Sequence, residues 1–208
     1  MKTIVIDDER LARKELISLL SDYKYITVVD EAVNVDDAYE KIKKHSPDLL
    51  FLDIQMPGKT GFELLEMLDS VPEVIFTTAY DEYALKAFEV NAFDYLLKPI
   101  QTERLGKSLS KLLKKENEQS DNFRQNKRLG VNDQVFVKDG EKCWFVRLSD
   151  VRLFESEGNY IKVYFDNVKP MIHKSLNALE EKLDDRMFFR ARRKHVINLS
   201  WVEGIEPW

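Results

Sequence analysis

Residues 49–61 read LLFLDIQMPGKTG. Four apolar residues followed by a carboxylate and then by Pro57, Gly58 and Gly61 describe a buried strand, Leu49 to Leu52. It ends at Asp53 and turns into a helix beginning near Gly61. The two glycines read as turn residues that give the backbone freedom after Pro57. The same alternation extends in both directions. Short apolar runs at Thr3 to Ile6, Ile26 to Ala32, Val74 to Thr77 and Asp94 to Leu97 are separated by amphipathic stretches. Arg10 to Leu20 sets Leu11, Leu16, Ile17, Leu19 and Leu20 along one helical side, and Ala38 to Lys44 and Gly61 to Leu68 behave alike. Five strand–helix pairs, the last helix running from about Thr102 to Lys115, predict a parallel sheet covered by helices on both faces.

At 208 residues the chain exceeds one usual domain, and 44% hydrophobic with 33% charged residues fits globular rather than disordered protein. The boundaries fall at 1–116 for the first unit, 117–129 for a polar linker without apolar periodicity, and 130–208 for the second. Beyond Leu129 the texture changes to runs rich in Val, Phe, Tyr and Ile: Gln134 to Val137, Trp144 to Leu148, Val151 to Glu155 and Tyr160 to Phe165. Asp139-Gly140 and Gly158-Asn159 punctuate them as turns, which predicts a mainly β unit. Ser175 to Leu183 stands out as a short helix behind a serine cap.

The net charge of −5 conceals opposed segments. Residues 1–99 carry 11 Lys+Arg against 20 Asp+Glu (−9), 100–129 carry 8 against 4 (+4), and 130–208 carry 13 against 13. The single cysteine, Cys143, excludes an internal disulfide framework and a cysteine-based zinc site. His45 sits on a polar helix end and is given no role, and neither His173 nor His195 has a second ligand at metal spacing. No run approaches a membrane span and the N-terminus lacks the pattern of a secretory signal, so a cytoplasmic protein without membrane attachment is expected.

In an open parallel sheet, ligands bind beyond the carboxyl ends of the strands. Asp7 and Asp8 follow the first strand, Asp53 ends the third, Thr78 the fourth, and Lys98-Pro99 follow the fifth. Clustered carboxylates repel, and a hard cation relieves them; an all-oxygen ligand set suits Mg²⁺. Asp53 could then attack a phosphoryl donor, Lys98 pair with the phosphoryl oxygens, and Thr78 donate its hydroxyl to one of them.

Four motifs carry a family resemblance: IVIDDE at 4–9, LLFLDIQMPGKTG at 49–61, IFTTAY at 75–80 and FDYLLKPI at 93–100. Together they resemble the receiver domain of two-component response regulators. The resemblance implies a flavodoxin-like α/β sheet of order 2-1-3-4-5. It also implies Asp53 as phosphoacceptor from a sensor histidine kinase, and Mg²⁺ on Asp7, Asp8, Asp53 and the backbone carbonyl of Gln55. Tyr95 would be an aromatic switch coupled to Thr78, and the Lys98–Pro99 bond cis. Such a protein gains and loses its own phosphoryl group and is not an enzyme that turns over a substrate. A true phosphatase is disfavoured because Gln55, rather than an acid, stands two residues past Asp53.

In the second unit, FFRARRKHVINL at 188–199 interrupts apolar residues with Arg190, Arg192, Arg193, Lys194 and His195. Extended, it would separate Arg193 from Arg192 and Lys194; as a loop, it would let all three converge on phosphates or guanine. With VRLFESEGNYIKVYF at 151–165, SLNALEEKL at 175–183 and the following VEGIEP, this half resembles the LytTR DNA-binding domain. That family puts loops into successive major grooves. The resemblance implies contacts from Asn159 and Tyr160 in one loop and from Arg192, Arg193 and Lys194 in the other, Arg193 being central. The family's usual second loop is His-Arg-Ser, so Arg-Arg-Lys is a departure. Relatives continue past the EPW segment, so the domain is expected to be C-terminally incomplete. The overall expectation is a regulator whose phosphorylation alters the surface of its fourth and fifth helices and promotes homodimerisation on promoter repeats of double-stranded DNA. In the rival reading the β unit docks a protein partner.

Overall fold

The computed structural model describes residues 1–79, 92–119 and 128–204. It divides into two compact units, Met1–Phe123 and Arg124–Trp208. In the first, β1 (Lys2–Ile6), β2 (Thr27–Ala32), β3 (Leu49–Asp53), β4 (Glu73–Thr78) and β5 (Asp94–Leu97) form one parallel sheet of order β2-β1-β3-β4-β5. The helices are α1 (Arg10–Leu20), α2 (Val35–His45), α3 (Gly61–Met67) and α4 (Thr102–Gln119). The expected fourth helix, between β4 and β5, lies outside the described residues. Every residue of β3 is buried, because this strand is central and covered on both faces.

Local chemistry sets the helix starts. Asn34 accepts the Asp37 N–H at the start of α2, and Thr60 with Glu63 closes a reciprocal capping box on α3. The helix expected to end at about Lys115 continues to Gln119, since Lys, Glu and Gln have high intrinsic helix propensity. In α1 the predicted apolar side is corrected at one position: Leu11 is 75% exposed, while Leu16 and Leu20 are buried. At 100° per residue Leu11 lies about 140° around the helix from Leu16. The buried place goes instead to Arg13.

The second unit holds an antiparallel sheet, order β10-β9-β8-β12-β11, and a separate hairpin, β6-β7. Its strands are β6 (Gln134–Asp139), β7 (Lys142–Arg147), β8 (Val151–Glu157), β9 (Tyr160–Phe165), β10 (Met171–Ile172), β11 (Phe188–Arg192) and β12 (His195–Asn198). Phe154, Ile161, Val163 and Val196 from the sheet pack with Val146 and Leu148, and with Leu176 of α5 (Leu176–Glu180), in one core. Ser175 precedes α5 in extended conformation, but its side chain makes no cap bond. Asn198 is buried among these residues, its Nδ2 donating to the carbonyls of Leu148 (3.2 Å) and Val151 (2.9 Å).

Among the described residues no helix is long and apolar enough to cross a membrane.

Candidate functional site

Parallel pairing brings the carboxyl ends of β1, β3, β4 and β5 to one edge of the sheet. Asp7, Asp8 and Asp53 each present an oxygen there, and these atoms lie within 4.8 Å of one another. Lys98 joins them, its Nζ 2.7 Å from Asp7 Oδ2 and 2.7 Å from Asp53 Oδ2, with Glu9 Oε2 at 3.9 Å. The Lys98–Pro99 bond is cis. The Gln55 N–H donates to Asp53 Oδ1 at 3.2 Å, and the Glu9 N–H to Asp7 Oδ1 at 2.9 Å. Thr78 ends β4 fully buried, next along the strand from Thr77, the residue in register with Asp53. Tyr95, in register with Phe76, is also buried.

Burial pushes the Asp53 carboxyl above its ordinary range, against the opposing pull of the Lys98 ammonium. Burial likewise disfavours the Lys98 charge, but its bonds to Asp53 and Asp7 prevail and raise it. The clustered Asp7, Asp8 and Asp53 against the one ammonium leave an excess of two negative charges, with Asp7 and Asp53 buried, Asp8 exposed and only oxygen offered as ligand. That donor set and charge suit a hard divalent cation.

One residue overlooked in the sequence, and one read there only as a turn residue, shape this pocket. Arg13 donates through Nη1 to the carbonyls of Asp7 (2.8 Å) and Asp8 (3.1 Å), and through Nε to Glu31 Oε2 (2.7 Å). It thereby fixes the backbone bearing two of the acids. The signal was a cation among the apolar positions of an amphipathic helix. Gly61, expected only to ease a turn, abuts the site: a Cβ there would fall 2.4 Å from the Asp53 carbonyl oxygen. Gly58, at φ +86°, is the residue that needs glycine for its backbone conformation.

In the second unit, β12 runs antiparallel to β8 with His195 opposite Glu155, and β9 returns from β8 with Tyr160 opposite Glu157. The β8–β9 turn, with Asn159, and the β11–β12 turn, with Arg193 and Lys194, therefore emerge at the same end of the sheet. Asn159, Tyr160, Arg192, Arg193 and Lys194 are all exposed. The basic segment combines the two arrangements, Arg192 ending the extended β11 and Arg193 and Lys194 forming the turn. His173 packs edge-on against Tyr160, ring centroids 5.2 Å apart, and His195 faces Glu155 at 3.5 Å.

Residues 3–110 match the response regulator receiver domain and residues 141–208 the LytTR DNA-binding domain. The sensory transduction protein LytT of Bacillus subtilis is 35% identical over 211 residues, covering 100% of this chain and 87% of that protein. An uncharacterised response regulatory protein of Vibrio cholerae is 38% identical, covering 99% and 85%. Among solved structures, the response regulatory domain of mrkE from Klebsiella pneumoniae superposes with a TM-score of 0.52 at 34% identity, covering 57% of this chain and 99% of that one. Fold and carboxylate pocket thus define a phosphoryl-signalling receiver joined to a β-rich output unit. The chain belongs to the two-component response regulators that couple a receiver to a LytTR domain. Its function is that of a DNA-binding transcriptional regulator, and the family implies a phosphodonor histidine kinase and DNA as its partners.

Proposed function

We propose that Asp53 is the phosphoacceptor of this regulator, with 1–116 as receiver, 117–129 as linker and 130–208 as the DNA-reading domain of a cytoplasmic protein. The observation that carries the reading is the cluster of Asp7, Asp8 and Asp53 oxygens within 4.8 Å, joined by Lys98. Asp7, Asp8, Asp53 and the backbone carbonyl of Gln55 would hold Mg²⁺, whose charge lets a phosphoryl anion approach a carboxylate. An Asp53 oxygen attacks the phosphorus of the phosphorylated kinase histidine, and the histidine nitrogen leaves. Lys98 then pairs with a phosphoryl oxygen. The Thr78 hydroxyl donates to another, drawing its loop inward, and buried Tyr95 accompanies that shift. The altered surface of the receiver, α4 included, favours a homodimer, a population shift that requires only better pairing in the phosphorylated state. The dimer presents Asn159, Tyr160, Arg192, Arg193 and Lys194 to promoter repeats, Arg193 being the first candidate for a base contact.

Acetyl phosphate labelling tests the acceptor. Wild type with Mg²⁺ should gain one phosphoryl group, detected by mass, and gain none when EDTA is present from the start. Asp53→Asn should not label; equal labelling of that variant would move the acceptor elsewhere.

A further inference from the structure

Among the described residues of the second unit, three pairs of successive strands are joined by two-residue hairpin turns. They are Gly140-Glu141 between β6 and β7, Gly158-Asn159 between β8 and β9, and Arg193-Lys194 between β11 and β12. The first two follow the expected chemistry, with glycine at φ +62° in each. The third has no glycine, and neither Arg193 nor Lys194 has positive φ. It also follows a register shift between Arg190 and Arg192. Three successive cations on a turn of unfavoured type repel one another and gain nothing from turn propensity. Something outside the turn must shape it.

Arg190 does so. Its Nε donates to the Arg192 carbonyl at 3.0 Å, and its Nη2 donates to the Arg193 carbonyl. The guanidinium is held in turn by α5, through Glu180 Oε2 at 2.6 Å from Nη1 and Asn177 Oδ1 at 3.3 Å from Nη2. The Lys194 carbonyl accepts the Ser156 N–H at 2.8 Å, so all three carbonyls of Arg192, Arg193 and Lys194 have a donor. Arg190 is largely covered, with 23% of its side chain exposed, whereas Arg192, Arg193 and Lys194 are exposed.

We infer that Arg190 is a positioning residue: with Glu180 as its fixed counter-charge, it shapes the Arg192–Lys194 turn for DNA and does not itself serve as a contact. The inference rests on the reading that this turn meets DNA. Planar donors aimed at two successive carbonyls are a task for guanidinium that an ammonium cannot repeat. Glu180 gives the test its sign. If it merely adds negative charge near the phosphates, Glu180→Gln tightens binding at every sequence. If it anchors the brace, the same change weakens binding despite making the protein more positive.

The 208-residue chain, as wild type, Glu180→Gln and Arg190→Lys, would be titrated with a duplex of about 30 bp, three helical turns, enriched by the wild type from a random pool. Both variants are expected to bind about tenfold more weakly, the worth of one charge-assisted hydrogen bond. Both should also be nicked by trypsin after Arg192, Arg193 or Lys194 several-fold faster than wild type, with cut sites mapped by mass. Tighter or unchanged binding by either variant, or unaccelerated nicking at the turn, overturns the inference. Wild type that enriches no duplex would instead defeat the DNA reading of this turn, and nicking alone would then judge the brace. Should either variant fail to fold, Asn177→Ala, which removes only the 3.3 Å bond, takes its place with a smaller loss in the same direction.

Discussion

The tightest constraints on this molecule sit on single residues whose neighbours are remote in sequence. Gly61 is one: an added Cβ would meet the Asp53 carbonyl at 2.4 Å and the Leu52 side chain at 3.0 Å. Backbone cannot yield as a flexible side chain can, so Gly61→Ala should cost about 1–3 kcal/mol, the scale of overpacking a filled site. Because the displaced atom belongs to Asp53, acetyl phosphate labelling should slow as well. Normal labelling with unchanged denaturation would show that the backbone adapts freely. Asn198 is another, its amide satisfying two buried carbonyls while its Oδ1 accepts the Ser200 N–H at 3.0 Å. Asn198→Ala strips donors from both carbonyls and should cost about 2–3 kcal/mol. The three tryptophans, Trp144, Trp201 and Trp208, all belong to the second unit, so their emission during urea unfolding reports on that unit without interference from the first. Asn198 was not legible in the sequence, where an Asn ending a strand looks like an ordinary turn former.

At the scale of elements, legibility followed locality. The β9 and β5 strands and helix α1 were bounded correctly by apolar pattern alone, and the β8–β9 turn by Gly158-Asn159. The β11–β12 turn carries no turn-forming residue, so its shape could only come from the brace on Arg190. The start of the second unit depends on a similar clamp. The Leu129 N–H donates to the Lys182 carbonyl at 2.7 Å and Asp184 N–H to the Leu129 carbonyl at 2.9 Å. The Arg186 guanidinium and N–H beside Asp184 hold its carboxyl down, from 3.8 to about 2. A carboxylate depressed on folding contributes stability that is complete above its unfolded value, about 3.9, and is lost as pH falls through the folded one. The melting temperature read by tryptophan emission should therefore drop between about pH 4 and pH 2. Asp184→Asn should lower it at neutral pH and flatten that decline. A variant with an undiminished acid slope would assign the acid sensitivity to other carboxylates.

For the whole molecule, the distribution of charge decides what the net value of −5 cannot. Acid is concentrated in residues 1–99, where it builds the carboxylate pocket, and residues 130–208 are neutral overall, with three of their 13 Lys+Arg adjacent at 192–194. DNA affinity should thus depend on few contacts. The logarithm of the binding constant should fall with the logarithm of salt by a modest slope, reduced by about 1 for each of Arg193→Gln and Lys194→Gln that meets a phosphate. An unchanged slope in both variants would remove this turn from the phosphate interface. Sedimentation should show phosphorylated wild type moving toward dimer, with Asp53→Asn remaining monomeric under the same treatment.

The chain's own order of residues determined the two kinds of unit, the strand ends that carry Asp7, Asp53, Thr78 and Lys98, and the basic run from Arg190 to Lys194, because burial periodicity and strand termini are written in neighbouring positions. Tertiary structure alone decided that β12 would pair with β8 and bring two turns to one end of a sheet. It also decided that Arg13 would lie buried beneath the acids and that Glu180 would hold the guanidinium of Arg190. Periodicity records which face of an element meets the core. It does not record which distant backbone or counter-charge will be waiting there, since that choice is made by the packing of the whole unit.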